Sequence, residues 1–380
     1  MISSNQESAN LVKSIIIIAG EESGDIHGAK LVQEIIKLNP SIRFIGHGGD
    51  KMKIAGVKII EHVSALSVVG FTEAIRRLPY IRKVMKDTIH LIKKNKPVRI
   101  ILIDYPGFNL NLAKKIQKFK IPITYFILPQ VWAWKENRAL KIKNLTNQAI
   151  SIIPFEKAWF NERRIEIDFV GHPFVDIEKL PTNKYDFFAK HSLALDKPLL
   201  TLLPGSRQQE IYRHWPIFIN VVNKLHGIFP NLQFIVGKAP DVILPTCPKF
   251  VHIEKDDPRL TMNFGDAGII ASGTATLEAA VLGLPTIVCY KTSYITYWIG
   301  KQFAKVEYLS LINLIAKRQI VPEFLQHKMT PENLIKAIVP LLSSTPERKK
   351  MIGGYKQITK ELGTPGVYSR AAKLIVEKTF

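Results

Sequence analysis

The chain has 380 residues, 46% of them hydrophobic, a length and composition that exclude a disordered protein and call for two domains of ordinary size. A formal net charge of +21 points to anionic partners, whether nucleic acid, lipid headgroups or phosphorylated substrates, without choosing among them. Only Cys247 and Cys289 occur, far apart and in no Cys-x-x-Cys, which argues against a disulfide framework or structural zinc and for a reducing cytoplasm.

Met1–Ser14 is polar and lacks the apolar core of a secretory signal. A β-branched run, Ile15–Ala19, then leads through Gly20 to a helix expected over Gly28–Leu38. Ile100–Ile103 leads through Asp104–Pro106 to a helix near Leu110–Phe119, and Ile123–Ile127 follows at once. Strand, small-residue turn and helix in alternation is the pattern of βαβ units and a parallel sheet covered on both faces. The pattern dissolves over Asp176–Pro198, where the domain boundary is expected. A second series runs through Leu199–Leu203, the turn Pro204–Ser206, a helix through Phe229, and strands at Gln233–Val236 and Ala267–Ala271. The helix Thr276–Leu282 and the strand Thr286–Tyr290 complete it. The stretch Ala267–Tyr290 is weakly charged, but Glu278 and its three glycines make it a buried strand–helix–strand rather than a membrane span. The expected architecture is two doubly wound α/β domains facing a cleft, over residues 1–175 and 190–336. Residues 337–380 would form helices that cross back to the first domain or exchange with a partner.

In open α/β sheets ligands bind at the carboxyl ends of strands, so the loops there hold the candidate residues. Gly20-Glu21-Glu22-Ser23-Gly24-Asp25 permits close backbone approach but is neither a Walker A loop nor Gly-x-Gly-x-x-Gly, which disfavours ATP and NAD. Asp104, ending an Ile-rich strand, reads equally well as a general base with a burial-raised pKa or as the N-cap of the next helix. Ser206 and Arg207 present N–H groups and a guanidinium suited to phosphate, or a plain surface arginine after a turn. Ser272-Gly273-Thr274-Ala275-Thr276 opens a helix whose amino terminus suits a diphosphate, and Glu278 can accept from ribose hydroxyls or simply stabilise that helix. No Asp-x-Asp, His-Glu-x-x-His or Gly-x-Ser-x-Gly is present, so no metal and no cofactor is expected, and serine-hydrolase chemistry recedes.

Taken in order, these loops resemble the lipid-A-disaccharide synthases, bacterial glycosyltransferases of family 19. The resemblance runs through Gly20–Asp25, Gly46-His47-Gly48-Gly49 with Met52, Ser67-Val68-Val69-Gly70, Ile103–Asn109 and Pro129-Gln130-Val131-Trp132-Ala133-Trp134 with Arg138. It continues in Pro154-Phe155-Glu156, Val170–Pro173, Leu203–Arg207 with Glu210, Ser272–Glu278, Asn313 and Pro322–Gln326. It implies a GT-B fold of two Rossmann-like domains and metal-independent inversion. The implied reaction joins UDP-2,3-diacylglucosamine to 2,3-diacylglucosamine 1-phosphate, giving a β-1′,6 disaccharide and UDP. It further implies Asp104 as the base, Ser206, Arg207 and Ser272–Thr276 at the diphosphate and Glu278 at the ribose. Asn313, Glu323 and Gln326 would line the same cleft, and Gly20, Ser23, Gly24 and Asp25 would meet substrate. Many members carry a second Asp where this chain has Gly107.

Acylated substrates imply a visit to the inner face of the cytoplasmic membrane. Over Val68–Arg99, the residues Val69, Phe71, Ile75, Leu78 and Ile81 offer an apolar face at helical spacing, with Pro79 expected to kink or divide the helix. Arg76, Arg77, Arg82 and Lys83 flank it. That pattern fits either an interfacial helix or an ordinary helix whose apolar face joins the core; lipid substrates favour the first. Two alternatives remain at this level: a UDP-sugar 2-epimerase of the same architecture, and a basic nucleic-acid-binding protein, which no recognisable motif supports. A homodimer is compatible with the sequence.

Overall fold

Two parallel sheets, each crossed by helices, account for the strands of the computed structural model, which describes residues 13–66, 77–133, 136–177, 180, 182–240, 242–293 and 306–380. The chain divides into one unit of Met1–Pro173 with Thr364–Phe380 and a second of Phe174–Gly363. The segment after residue 337 is thereby split: its first long helix belongs to the second unit and its last helix to the first.

The first unit runs β1 (Ser14–Ile18), α1 (Glu22–Leu38), β2 (Arg43–Gly48), α2 (Asp50–Ile54), β3 (Val57–His62), α3 (Val63–Leu66), α4 (Leu78–Asn95), β4 (Arg99–Ile103) and α5 (Pro106–Ile116). It continues with β5 (Ile123–Phe126), α6 (Asn137–Leu145), β6 (Gln148–Ser151), α7 (Glu156–Asn161) and β7 (Asp168–Phe169). The sheet order is β3-β2-β1-β4-β5-β6-β7, parallel throughout. Ile15–Ile18 and Ile100–Ile103 are buried on both faces, as continuous apolar runs in a doubly covered sheet must be.

The second unit holds α8 (Lys184–Lys190), β8 (Leu199–Leu203), α9 (Gln208–Ile228), β9 (Gln233–Gly237), β10 (Val251–Glu254), α10 (Arg259–Phe264), β11 (Ala267–Ala271) and α11 (Thr274–Val281). After them come β12 (Thr286–Tyr290), α12 (Leu311–Ala316), β13 (Glu323–Leu325), α13 (Pro331–Ile338) and α14 (Pro346–Glu361). Its sheet order is β10-β9-β8-β11-β12-β13, again parallel. Strand order reverses between β1 and β4 in one unit and between β8 and β11 in the other, so each sheet has a topological switch point where a crevice opens at the carboxyl ends.

The final helix, α15 (Val367–Glu377), packs on α1. Tyr368 Oη meets His27 Nδ1 at 2.8 Å, and Arg370 donates from Nε and Nη2 to the Val170 carbonyl. At its other end Arg99, 2% exposed, donates from Nε to Thr379 Oγ1 at 2.5 Å and from Nη1 to Thr124 Oγ1 at 2.9 Å. Its Nη2 reaches the Lys378 carbonyl. An arginine satisfying a carbonyl at the carboxyl end of a helix is a cap of favourable sign, because that end carries partial negative charge.

Three helices start earlier than their sequence pattern suggests: α1 at Glu22 rather than Gly28, α5 at Pro106 rather than Leu110, and α11 at Thr274 rather than Thr276. Each helix opens on residues that read as loop but suit a helix amino terminus: Glu22-Ser23-Gly24-Asp25, Pro106-Gly107 and Thr274. Gly28 illustrates the reason in α1: a Cβ there would lie 2.6 Å from the Met52 sulfur, so the glycine serves close packing inside the helix rather than a turn.

Pro79 does not divide α4. It sits in the first turn, where its missing N–H costs nothing. Ile81 packs against the core with Val84, Met85 and Ile92 beyond it, so the described apolar face of α4 is a core face; Leu78 is 44% exposed. Arg77 donates to the Ala65 carbonyl, while Arg82 and Lys83 point to solvent. Val69, Phe71, Ile75 and Arg76 lie outside the described residues, as do Ser67–Gly70 and Trp134.

Candidate active site

In the first unit the switch point joins the turns after β1 and β4. Asp104 and Tyr105 both have left-handed backbone, with φ of 41° and 48°, and Ile127 after the neighbouring β5 has φ of 61°. Consecutive non-glycine residues in this region are uncommon, and a β-branched one is strained, so the surroundings must hold them. They do. The Asp104 carbonyl accepts from Tyr125 Oη at 2.6 Å and from Asn109 Nδ2 at 2.7 Å, while Asn109 also donates to the Ile103 carbonyl. The Tyr105 ring stacks on Phe108 and lies over Gly20, where a Cβ would come within 2.2 Å of it. It is Tyr105, not Asp104, that occupies the N-cap position of α5, and it does so without a side-chain cap bond; the capping role for Asp104 is excluded.

These bonds engage the Asp104 main-chain carbonyl and leave its carboxyl with the Tyr105 N–H as backbone partner. Burial, then the nearby Glu21 carboxylate, push its pKa up to about 6 against a hydrogen bond from the Tyr105 N–H. Glu21, exposed at the amino end of α1, is a contributor that the sequence reading passed over. A second carboxyl, Glu156, is fully buried. It accepts from Trp132 Nε1 at 2.8 Å and meets the Ser151 hydroxyl, and burial raises its pKa to about 7. Around Gly107 a Cβ would meet nothing within 4 Å, so the space for a second acid on α5 is open.

The remaining candidates of the first unit divide. Ser23 is exposed in the first turn of α1, but Gly20 and Gly24 are buried in packing contacts. Asp25 is 4% exposed and accepts from the N–H groups of Gly49, Lys51 and Met52, so it caps α2 from a distance instead of facing a ligand.

In the second unit the switch point joins the turns after β8 and β11. Gly205, at φ +133°, lets the Glu210 carboxylate fold over the turn, and this carboxylate accepts from the N–H groups of Ser206 and Arg207. Those N–H groups are therefore engaged, contrary to their expected freedom for phosphate. What the turn offers is the Arg207 guanidinium, 67% exposed with one contact to Glu210. Next to it, α11 begins at Thr274 behind Gly273, with no side-chain cap, and no described residue accepts from the N–H groups of Thr274 and Ala275. Ser272, Gly273 and Thr274 are accessible; Thr276 is buried and bonds back to the Gly273 carbonyl. An uncapped helix start and an exposed guanidinium thus follow neighbouring strands, and both carry positive character. Glu278, the fifth residue of α11, is half-buried without a hydrogen-bond donor to its carboxylate among the described residues, and burial lifts its pKa to about 7.

Three further candidates hold loops. Asn313, fully buried, accepts from the N–H groups of Ile320 and Val321 and donates to the Val321 carbonyl and to Glu323. Glu323 also accepts from Leu309, Ser310 and the Ser310 hydroxyl. Gln326 pairs through both amide atoms with the backbone of Thr292. With these polar atoms engaged inside the second unit, the three side chains hold the loops around β13.

Two doubly wound α/β units, each with its switch point at the carboxyl ends of a parallel sheet, are the fold of GT-B glycosyltransferases and UDP-sugar epimerases. Solved structures agree on the fold. The glycotransferase of kitacinnamycin aligns over 97% of this chain and 99% of its own at a TM-score of 0.65 and 13% identity. UDP-GlcNAc 2-epimerase from Neisseria meningitidis, bound to UDP-GlcNAc, aligns over 96% and 99% at 0.62 and 12%. The sequence separates the two classes. The family described as lipid-A-disaccharide synthetase matches residues 15–377. Lipid-A-disaccharide synthase from Myxococcus xanthus is 35% identical over 96% of this chain and 97% of that protein, and the one from Syntrophus aciditrophicus 36% over 95% and 96%. The chain belongs to the lipid-A-disaccharide synthase family, and it is a glycosyltransferase of lipid A biosynthesis. The epimerase and nucleic-acid readings give way to it.

Proposed function

We propose that this enzyme transfers 2,3-diacylglucosamine from UDP to the 6-hydroxyl of 2,3-diacylglucosamine 1-phosphate, with inversion, forming the β-1′,6 disaccharide and UDP. The observation that carries the reading is the Asp104 carboxyl, freed from capping and held at a switch point with a pKa near 6. Ionised at neutral pH, it can take the proton from a sugar hydroxyl, a poor nucleophile without such help. Arg207 and the amino end of α11, with Ser272–Ala275, stabilise the charge that develops on departing UDP, and Glu278 accepts from the ribose hydroxyls. No group of three or more metal-ligating side chains occurs among the described residues. The test is incubation with the two acylated sugars in detergent, with and without EDTA. Disaccharide and UDP in both are expected; EDTA-sensitive turnover, or release of a 2-epimer instead, overturns the reading.

We further propose that the enzyme works at the cytoplasmic face of an anionic membrane. Supporting this are the exposed cations of α4 (Arg82, Lys83, Lys86, Lys93 and Lys94) and the exposed Leu78 and Tyr80 at its start. No helix among the described residues is long and apolar enough to cross a membrane. At roughly 1 kcal/mol per cation at an anionic surface, replacing Arg82, Lys83 and Lys86 by Gln weakens binding to phosphatidylglycerol vesicles by about 100-fold at low salt. Unchanged sedimentation with vesicles refutes it.

A further inference from the structure

His214 lies in the second turn of α9, is fully buried, and bonds at both ring nitrogens to backbone of two different loops. Nδ1 is 2.7 Å from the Pro204 carbonyl, at the end of β8, and Nε2 is 2.9 Å from the Lys291 N–H, just past β12. A carbonyl can only accept and an amide N–H can only donate. The ring is therefore neutral, with its proton on Nδ1. Burial, the foremost influence, lowers its pKa and favours that form; the Pro204 carbonyl and Glu210 oppose it, and Arg213 adds to it. The rings of Phe218 and Tyr290 enclose the imidazole at 6.3 and 5.9 Å.

Sheet order gives this bond pair its meaning. β11 lies between β8 and β12, so at ~4.8 Å per strand the two bonded loops are on the order of 10 Å apart. The Ser272–Ala275 turn rises from the gap. Arg207 follows the first loop and Thr292 the second, and Thr292 is in turn tied to Gln326 beyond β13. His214 is thus the cross-tie of a rim that runs from the guanidinium, past the helix start, to the β13 edge.

We propose that His214 is a positioning residue for the sugar nucleotide: by tying Pro204 to Lys291 across the end of β11, it fixes the distance between the Arg207 turn and the β12 loop on either side of the diphosphate. It touches no substrate atom itself. Misplacement of a binding group by about 1 Å costs up to about 100-fold in an organised site, so loosening this tie is felt at UDP. The proposal rests on the donor site lying in the second unit.

The experiment is calorimetric titration of UDP into wild type, His214→Gln and His214→Phe, with KM for each substrate measured alongside. Gln offers one donor and one acceptor and restores both bonds; Phe keeps the ring packing and neither bond. Expected are an affinity for Gln within about threefold of wild type and a loss of about 10- to 100-fold for Phe. KM for the UDP-sugar should rise in the Phe variant while KM for the acceptor stays. Wild-type affinity in a folded Phe variant overturns the proposal, and so does equal weakening in both variants. If Phe does not fold, a loss above tenfold in folded Gln overturns it alone. Wild type that binds no UDP instead overturns the donor-site reading, which separates the two failures.

Discussion

Replacing Asp104 by Asn lowers kcat/KM for disaccharide formation by about 10²- to 10⁴-fold, the usual contribution of a positioned general base, while UDP binding is retained. The wild-type kcat/KM falls below about pH 6, where the Asp104 carboxylate takes up its proton. Glu21→Gln removes a neighbouring negative charge and moves that acid limb to lower pH. The stability consequence has the opposite sign. A carboxyl whose folded pKa exceeds its unfolded value binds more protons in the native state between the two, so its ionisation weakens the fold as pH rises through about 6. Asparagine escapes this cost. At pH 8 the variant therefore melts at or above the wild-type temperature, and the advantage vanishes below about pH 4. An Asn variant that is both fully active and no more stable contradicts the role.

Arg99→Ala destabilises the first unit by about 3–5 kcal/mol. The guanidinium is buried at the start of β4 and serves Thr124, Thr379 and the Lys378 carbonyl, so truncation leaves a cavity and several unpaired polar groups together. The loss is local to a unit made from both ends of the sequence. Native-state hydrogen exchange checks it: amides of β4 and α15 lose protection, whereas β8 and β11 keep theirs. Uniform loss across both sheets, or none, refutes the assignment.

How much of this was legible beforehand depends on residue type. Ile15–Ala19, Ile100–Ile103, Leu199–Leu203 and Ala267–Ala271 announce buried parallel strands because a sheet covered on both faces needs continuous apolar runs. The two residues of β7 and three of β13 carry no period to detect. Asp104 was findable from its place after such a run, although only the backbone geometry removed its capping role. Asp25, Asn313, Glu323 and Gln326 have the composition of a site, but each bonds backbone groups of other segments, which sequence spacing does not reveal. His214 was missed for the converse reason. It falls at helical spacing with the buried Ile211 and Phe218, so it reads as one more core position.

The closing of the first unit by α15 has a bearing on how the protein is made. Strands β1 to β7 leave the ribosome first, yet the helix that covers α1 and receives Arg99 is synthesised only after the whole second unit. Until then Arg99 has no helix end to cap and the His27 face of α1 is bare. Domains tend to fold as units in order of synthesis. Here the order is inverted: the second unit is the one able to complete itself early, and Asp104 at the far end of β4 waits for α15 to be made.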